Sequence, residues 1–110
     1  MHNLRNTMTQ NSDKIIVHVD ADIRELVPNF LQHRRDDVKA ILDAMKRGDY
    51  ETIRILGHSM KGAGSGYGFD TVSDTGKSLE QAAKDRNSGE IQRQVNELAK
   101  YLERVEVVYS

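Results

Sequence analysis

Residues 55–69 read ILGHSMKGAGSGYGF and contain one histidine, one lysine and five glycines. A glycine inside a helix costs about 1 kcal/mol relative to alanine, so a helix with this composition needs a compensating benefit. Apolar residues nevertheless recur at three- and four-residue spacing, which predicts a helix that Gly66-Tyr67-Gly68 ends. The apolar positions are Ile53, Leu56, Met60 and Ala63.

His58 is placed by the helical period on the side opposite to this apolar stripe. Gly62 follows one turn later on the same outer side, where the missing side chain leaves room for the backbone or a loop of another protein. Ile55 lies one turn before His58 as an exposed apolar contact, and Ser65 shares this half of the helix. We therefore predict a partner-docking surface around the histidine, made of Ile55, Gly62 and Ser65.

The exposed imidazole is a competent nucleophile near neutral pH, because an ordinary imidazole has a pKa of about 6.5 and is largely uncharged there. Lys61 lies one turn away and is placed to offset the charge of a phosphoryl group carried on the ring. Taken alone, a histidine on a helix surface is usually no more than a surface residue. The functional interpretation therefore depends on the rest of the chain.

The first long helix is predicted to follow Asp20 or Asp22, either of which can cap a helix start. Pro28 is tolerated there only in an early turn or at a kink. Gly48 is expected to end this helix, and Asp49 to cap the helix that carries His58. Its apolar stripe is formed by Ile23, Leu26, Val27, Phe30, Leu31, Val38, Ile41, Leu42 and Met45.

Two more helices are predicted after the glycine-rich stretch. Asp70 is expected to cap the third, and Asn87-Ser88-Gly89 separates it from a fourth that runs through Val105. Four amphipathic helices with short connections predict an all-α fold, an antiparallel four-helix bundle.

An extended N-terminal segment is predicted before the bundle, from the β-branched run KIIVHV at Lys14 to Val19. No partner strand is evident in the sequence, so a sheet is not expected. Residues 1–13 are polar and aperiodic, which predicts a disordered tail, and residues 14–110 are predicted to form a single domain.

Composition excludes several classes of protein. The chain has 110 residues, no cysteine and a net charge of −1. Disulfides are therefore absent and structural zinc is not expected, and nucleic-acid binding by bulk charge is disfavoured. No apolar run reaches the roughly 20 residues that span a membrane, and residues 1–13 lack the apolar core of a signal peptide. The cytoplasm is the expected compartment.

The sequence also does not match the known phosphate-binding and metal-binding motifs. Gly76-Lys77-Ser78 resembles the end of a Walker A motif, but the required earlier glycine is Thr71 and no strand precedes it. The two G-x-G triplets, Gly62-Ala63-Gly64 and Gly64-Ser65-Gly66, each need a third glycine three residues later. Tyr67 and Phe69 stand at those positions, so neither triplet is part of a dinucleotide-binding fingerprint. The remaining histidines have no ligand spacing with His58, and no metal site is expected. They are His2, His18 and His33.

The segment HSMKGAGSGYG, His58 to Gly68, resembles the H-x-x-K-G-x-x-x-x-x-G signature of histidine-containing phosphotransfer (HPt) domains. The resemblance extends over roughly residues 20–107 and implies a four-helix bundle. It implies that His58 is the phosphoacceptor, Lys61 its electrostatic neighbour and Gly62 the clearance residue. Gly68, with Gly66 before it, would form the turn that ends the helix.

The resemblance implies a phosphocarrier in a two-component phosphorelay, not an enzyme. Receiver domains and a sensor or hybrid histidine kinase are the implied partners, and the receiver would supply Mg²⁺, with no cofactor held by this chain. No ATP site is evident, and a monomer without nucleic-acid or membrane partners is expected. Two alternatives remain open: a non-phosphorylated helical adaptor that docks receiver domains, and a phosphatase of phosphoaspartate.

Arg34 departs from the pattern because it lies within the apolar stripe of the first helix. One interpretation is that its stem packs while its head reaches water. The other is that the guanidinium binds carbonyl groups at the glycine-rich end of the next helix, residues 64–68.

Overall fold

The computed structural model describes residues 14–110. Four α-helices account for most of this part of the chain, and a short strand stands at each end of it. In chain order the elements are β1 (Ile15–Val19), a 3₁₀ helix (Ala21–Leu26), α1 (Val27–Lys46), α2 (Tyr50–Gly66), α3 (Asp70–Lys84), α4 (Ser88–Arg104) and β2 (Val105–Tyr109). The predicted four-helix fold is confirmed, and the tail predicted for residues 1–13 lies outside the described residues.

Most helix boundaries follow the capping residues seen in the sequence. Asp49 caps α2 by accepting a hydrogen bond from the backbone N–H of Thr52 at 3.0 Å, and Gly48 before it takes a positive φ of 65°. Asn87 caps α4. The prediction that Asp20 or Asp22 caps the first long helix is wrong, because Asp20 caps the short 3₁₀ helix instead and α1 begins after Leu26 with no side-chain cap. Proline stands in the first turn of α1, the position it tolerates.

The prediction that Asp70 caps α3 is wrong, because Phe69 is the residue at that boundary and no side chain caps the helix. Phe69 is fully buried, and its ring stacks on that of Phe30 with 5.0 Å between the ring centroids. Its carbonyl accepts a hydrogen bond from the backbone N–H of Val72 at 3.0 Å. Burial of an aromatic ring, rather than a capping carboxylate, therefore fixes where α3 begins.

The two strands pair in parallel, with Ile15 opposite Val105 and Val19 opposite Tyr109. The expectation that no sheet forms is therefore wrong, and so is the prediction that the fourth helix includes Val105. The backbone becomes extended at Val105, with φ −66° and ψ 132°, because the β-branched residues that follow find a partner in β1. That partner lies at the other end of the described chain, where a local sequence pattern does not reveal it.

Arg34 satisfies neither interpretation drawn from the sequence. Its side chain is only 11% exposed, and its Nε donates to Oδ2 of Asp37 at 2.8 Å. Its guanidinium also lies 5.0 Å from the centroid of the Phe30 ring. The carbonyl of Gly64 instead accepts from the backbone N–H of Phe69 at 2.8 Å. Arg34 is thus paired inside α1, where burial raises the pKa of Asp37 and the arginine opposes that rise.

Two glycines of α2, Gly57 and Gly64, are explained by the contact between α2 and α3. A Cβ placed on Gly76 of α3 would lie 2.5 Å from the backbone nitrogen of Lys61 and 2.6 Å from the carbonyl oxygen of Gly57. A Cβ on Gly57 would lie 2.7 Å from the backbone nitrogen of Glu80, and one on Gly64 would collide with Ser73. The two backbones approach this closely only because these positions lack side chains, and the close packing offsets the cost of the glycines.

Candidate functional site

His58 lies near the middle of α2 on its outer side, with 65% of its side chain exposed. Its Nδ1 lies 3.0 Å from Oε2 of Glu80 on α3. Within residues 14–110, no hydrogen bond to the other ring nitrogen, Nε2, is present. The ring is therefore held at one nitrogen and open at the other.

Glu80 is the residue of the site that the sequence interpretation missed. Its side chain is only 10% exposed, and it also pairs with a cation, because Nζ of Lys61 lies 3.2 Å from Oε1. Nζ of Lys84 lies 3.9 Å from Oε2. A signal was available in the sequence: Glu80 interrupts the apolar face of α3 directly after Leu79. A carboxylate at such a position needs charged partners from a neighbouring helix.

The hydrogen bond from Lys61 is the main reason why the pKa of Glu80 lies below its usual value, although burial opposes the shift. The carboxylate is therefore ionised at neutral pH and can only accept hydrogen bonds. Nδ1 of His58 must then be the donor, which places the lone pair of the neutral ring on Nε2. Glu80 thus selects the tautomer that leaves a lone pair on Nε2, the ring nitrogen without a hydrogen bond in residues 14–110.

A hydroxyl group ties this part of α2 to α3. Oγ of Ser73 donates to the carbonyl oxygen of Lys61 at 2.6 Å and lies 3.4 Å from Oγ of Ser65. Together with the glycine contacts described above, this bond fixes the spacing between the two helices. Glu80 consequently stands at a defined distance from His58, although the two residues come from different helices.

The predicted docking residues occupy the outer surface of α2. Ile55 is 52% exposed, which is high for a large apolar residue, and Ser65 is exposed as well. A Cβ on Gly62 or on Gly66 would meet no atom within 4 Å, so both positions face open space. Gly66 is the last residue of α2, and Gly68 in the following turn has a φ of 85°.

A hollow lined by charged side chains borders the site on the α3 side. Its lining residues are Lys61, Asp74, Lys77, Ser78, Glu80, Gln81 and Lys84. Three lysines against two carboxylates leave the hollow net positive. An anionic group on His58 would therefore lie next to compensating cations.

Residues 14–110 contain no cluster of three or more histidine, cysteine or acidic residues arranged to hold a metal ion. None of the helices in this range is both long enough and apolar enough to cross a membrane.

Comparison with known proteins identifies the family. No curated protein and no solved structure gives a significant match to the chain. The sequence model of the Hpt domain does match, over residues 25–107. This range includes all four helices, the exposed His58 on α2 and the Glu80 that holds its ring. The chain therefore belongs to the Hpt domain family.

Proposed function

We propose that this chain carries phosphoryl groups between proteins of a phosphorelay, with His58 as the acceptor. A phosphorylated receiver domain docks on the outer face of α2, and Nε2 attacks the phosphorus atom of its phosphoaspartate in line. The P–O bond to the aspartate breaks with its electron pair returning to the carboxylate, and a P–N bond to Nε2 forms. The reverse step loads a second receiver, and a sensor or hybrid histidine kinase is the other candidate donor.

Phosphoryl transfer depends mainly on positioning and on charge stabilisation. This chain contributes the nucleophile, and Lys61 contributes positive charge one turn away. The partner receiver contributes Mg²⁺, and the chain brings neither a cofactor nor an ATP site. It therefore acts as a stoichiometric carrier rather than as a catalyst.

The observation that carries the proposal is the state of the His58 ring in an Hpt domain. The ring is mostly exposed, yet its Nδ1 is bound by an ionised carboxylate. An ordinary surface histidine has no such fixed tautomer. The open surface at Gly62 and the exposed Ile55 supply the space and the apolar contact that docking requires.

The test is labelling by receiver domains that have first been phosphorylated with acetyl phosphate. We expect acid-labile, alkali-stable phosphate on the wild-type chain and none on His58→Gln, since a P–N bond needs the imidazole. The matched control is His33→Gln, which removes a different exposed histidine, one that lies on α1. This variant should be labelled as fully as the wild-type chain. Full labelling of His58→Gln would refute the proposal.

The same experiment separates the alternatives. A chain that binds phosphorylated receivers without becoming labelled or changing their phosphate lifetime would be an adaptor. A chain that accelerates loss of phosphate from the receiver in the His58→Gln form would be a phosphatase. Either result would contradict the carrier proposal.

A further inference from the structure

Glu80 has a consequence for the phosphorylated form of His58 that differs from its effect on the free ring. When Nε2 carries a phosphoryl group, Nδ1 is the nitrogen that still exchanges a proton. Oε2 of Glu80 lies 3.0 Å from Nδ1. If that proton were lost, the lone pair of Nδ1 would face a carboxylate, an arrangement that is electrostatically unfavourable.

We propose that Glu80 keeps Nδ1 of phosphorylated His58 protonated, so that the imidazole leaves as a neutral ring when the phosphoryl group passes to a receiver. The inference rests on the proposed function, because it concerns the donor step of the same histidine. Glu80 acts through His58 and is therefore a positioning residue.

The atoms and charges of this step balance without another reactant. A carboxylate oxygen of the receiver aspartate attacks phosphorus, the P–O bond forms, and the P–N bond breaks with its electron pair remaining on Nε2. The proton stays on Nδ1, so a ring with one positive charge becomes a neutral ring. Without that proton the leaving group would be an imidazolate anion, which is a much stronger base and leaves less readily.

The surrounding charges decide how strongly the proton is held. Lys61 and Arg54 approach from α2, and Lys84 from α3; Lys77 and Asp74 line the hollow beside Glu80. The cations compensate the phosphoryl group, but they also weaken the hold of the carboxylate on a positively charged ring. Glu80 is the only carboxylate within hydrogen-bond distance of His58 in the described residues, so its removal leaves a cationic surrounding.

Phosphorylation with potassium phosphoramidate makes the test independent of any partner. Long-range ¹H–¹⁵N spectra then follow the Nδ1 proton of phosphorylated His58 during a pH titration, with His58→Gln assigning the signal. In Glu80→Gln we expect the midpoint of deprotonation to fall by about one pH unit or more. Asp85→Asn is the matched control, because Asp85 directly follows α3 and its carboxylate accepts a hydrogen bond only from Gln81. Removing this negative charge should leave the midpoint unchanged.

Lys61→Met gives the opposite expectation, because it removes a cation that partly neutralises Glu80. In Lys61→Met the midpoint of Nδ1 deprotonation should stay the same or rise. General damage to the site would instead lower this midpoint in both Lys61→Met and Glu80→Gln. A fall in both variants, or no fall in Glu80→Gln, would overturn the inference.

The rate of donation to a receiver supplies a second measurement. The ratio of the wild-type rate to the Glu80→Gln rate should increase from pH 6 to pH 8, by up to about tenfold for a midpoint shift of one unit. A ratio that is the same at both pH values would mean a purely structural role and would count against the inference. Failure of every receiver to exchange phosphate with the wild-type chain would instead refute the proposed function, while the titration would still test Glu80.

Discussion

Gly62 stands one turn after His58, where an added side chain would meet open space. In Gly62→Gln we expect transfer from a receiver to slow by about tenfold, since loss of about 1.4 kcal/mol of favourable docking has that effect. The thermal midpoint should stay equal or rise, because a helical glycine is replaced by a better helix former. Stopped-flow transfer kinetics and thermal denaturation measure the two effects.

Gly89→Gln is the matched control for this prediction. It makes the same substitution in the first turn of α4, where the nearest atom to an added Cβ is 3.7 Å away. Transfer by this variant should match the wild-type chain. If Gly62→Gln also transferred at the wild-type rate, the surface at Gly62 would not be part of the docking site.

At the scale of elements, the contact between α2 and α3 holds the site together. In Gly76→Ala the new methyl group would collide with the backbone at Lys61 and Gly57. Overpacking of this kind typically costs about 1–3 kcal/mol, which exceeds the gain of about 1 kcal/mol in helix propensity. We therefore expect net destabilisation in urea denaturation, together with weaker coupling between Glu80 and His58.

The control for Gly76→Ala is Gly62→Ala, which makes the same change on α2 in open space. A methyl group at position 62 meets no other atom, so only the higher helix propensity of alanine matters. The free energy of unfolding should therefore rise by about 1 kcal/mol. If Gly76→Ala lowers the free energy of unfolding and Gly62→Ala raises it, the interhelical contact is the cause of the destabilisation. Stabilisation by both changes would show that α2 and α3 can move apart without cost.

The helices and the histidine were predictable from sequence because both depend on local patterns. The helical period of the apolar residues places His58 on the outer face of α2, and the capping residue Asp49 predicts where that helix begins. The helical pattern marks Glu80 as a carboxylate on an apolar face, but its pairing with His58 depends on the packing of α3 against α2 and was not predictable from a local pattern. The glycines were only half explained: Gly62 was correctly expected to face outward, whereas the close contact at Gly57 was missed. A contact between two helices appears only when both are placed in space.

At the scale of the whole molecule, the same limit explains the strand pair. Each strand is a short β-branched run, and neither is stable without the other. The C-terminal run VEVVY follows α4 directly, and its first residue, Val105, continues the apolar spacing of that helix. The hydrogen bonds that decide between the two structures come from β1, which precedes all four helices.

The parallel pairing of β1 and β2 also determines how the molecule responds to mechanical force. Lys14 and Ser110 leave the strand pair at opposite ends, so pulling them apart loads the interstrand hydrogen bonds in shear and all of them resist together. Lys14 and Arg104 flank the same end, so pulling on that pair opens the bonds one after another. Because the chain has no cysteine, Lys14→Cys combined with Ser110→Cys or with Arg104→Cys gives unique attachment points for force spectroscopy. The first geometry should rupture at the higher force, and equal forces would mean that the strand pair bears no load.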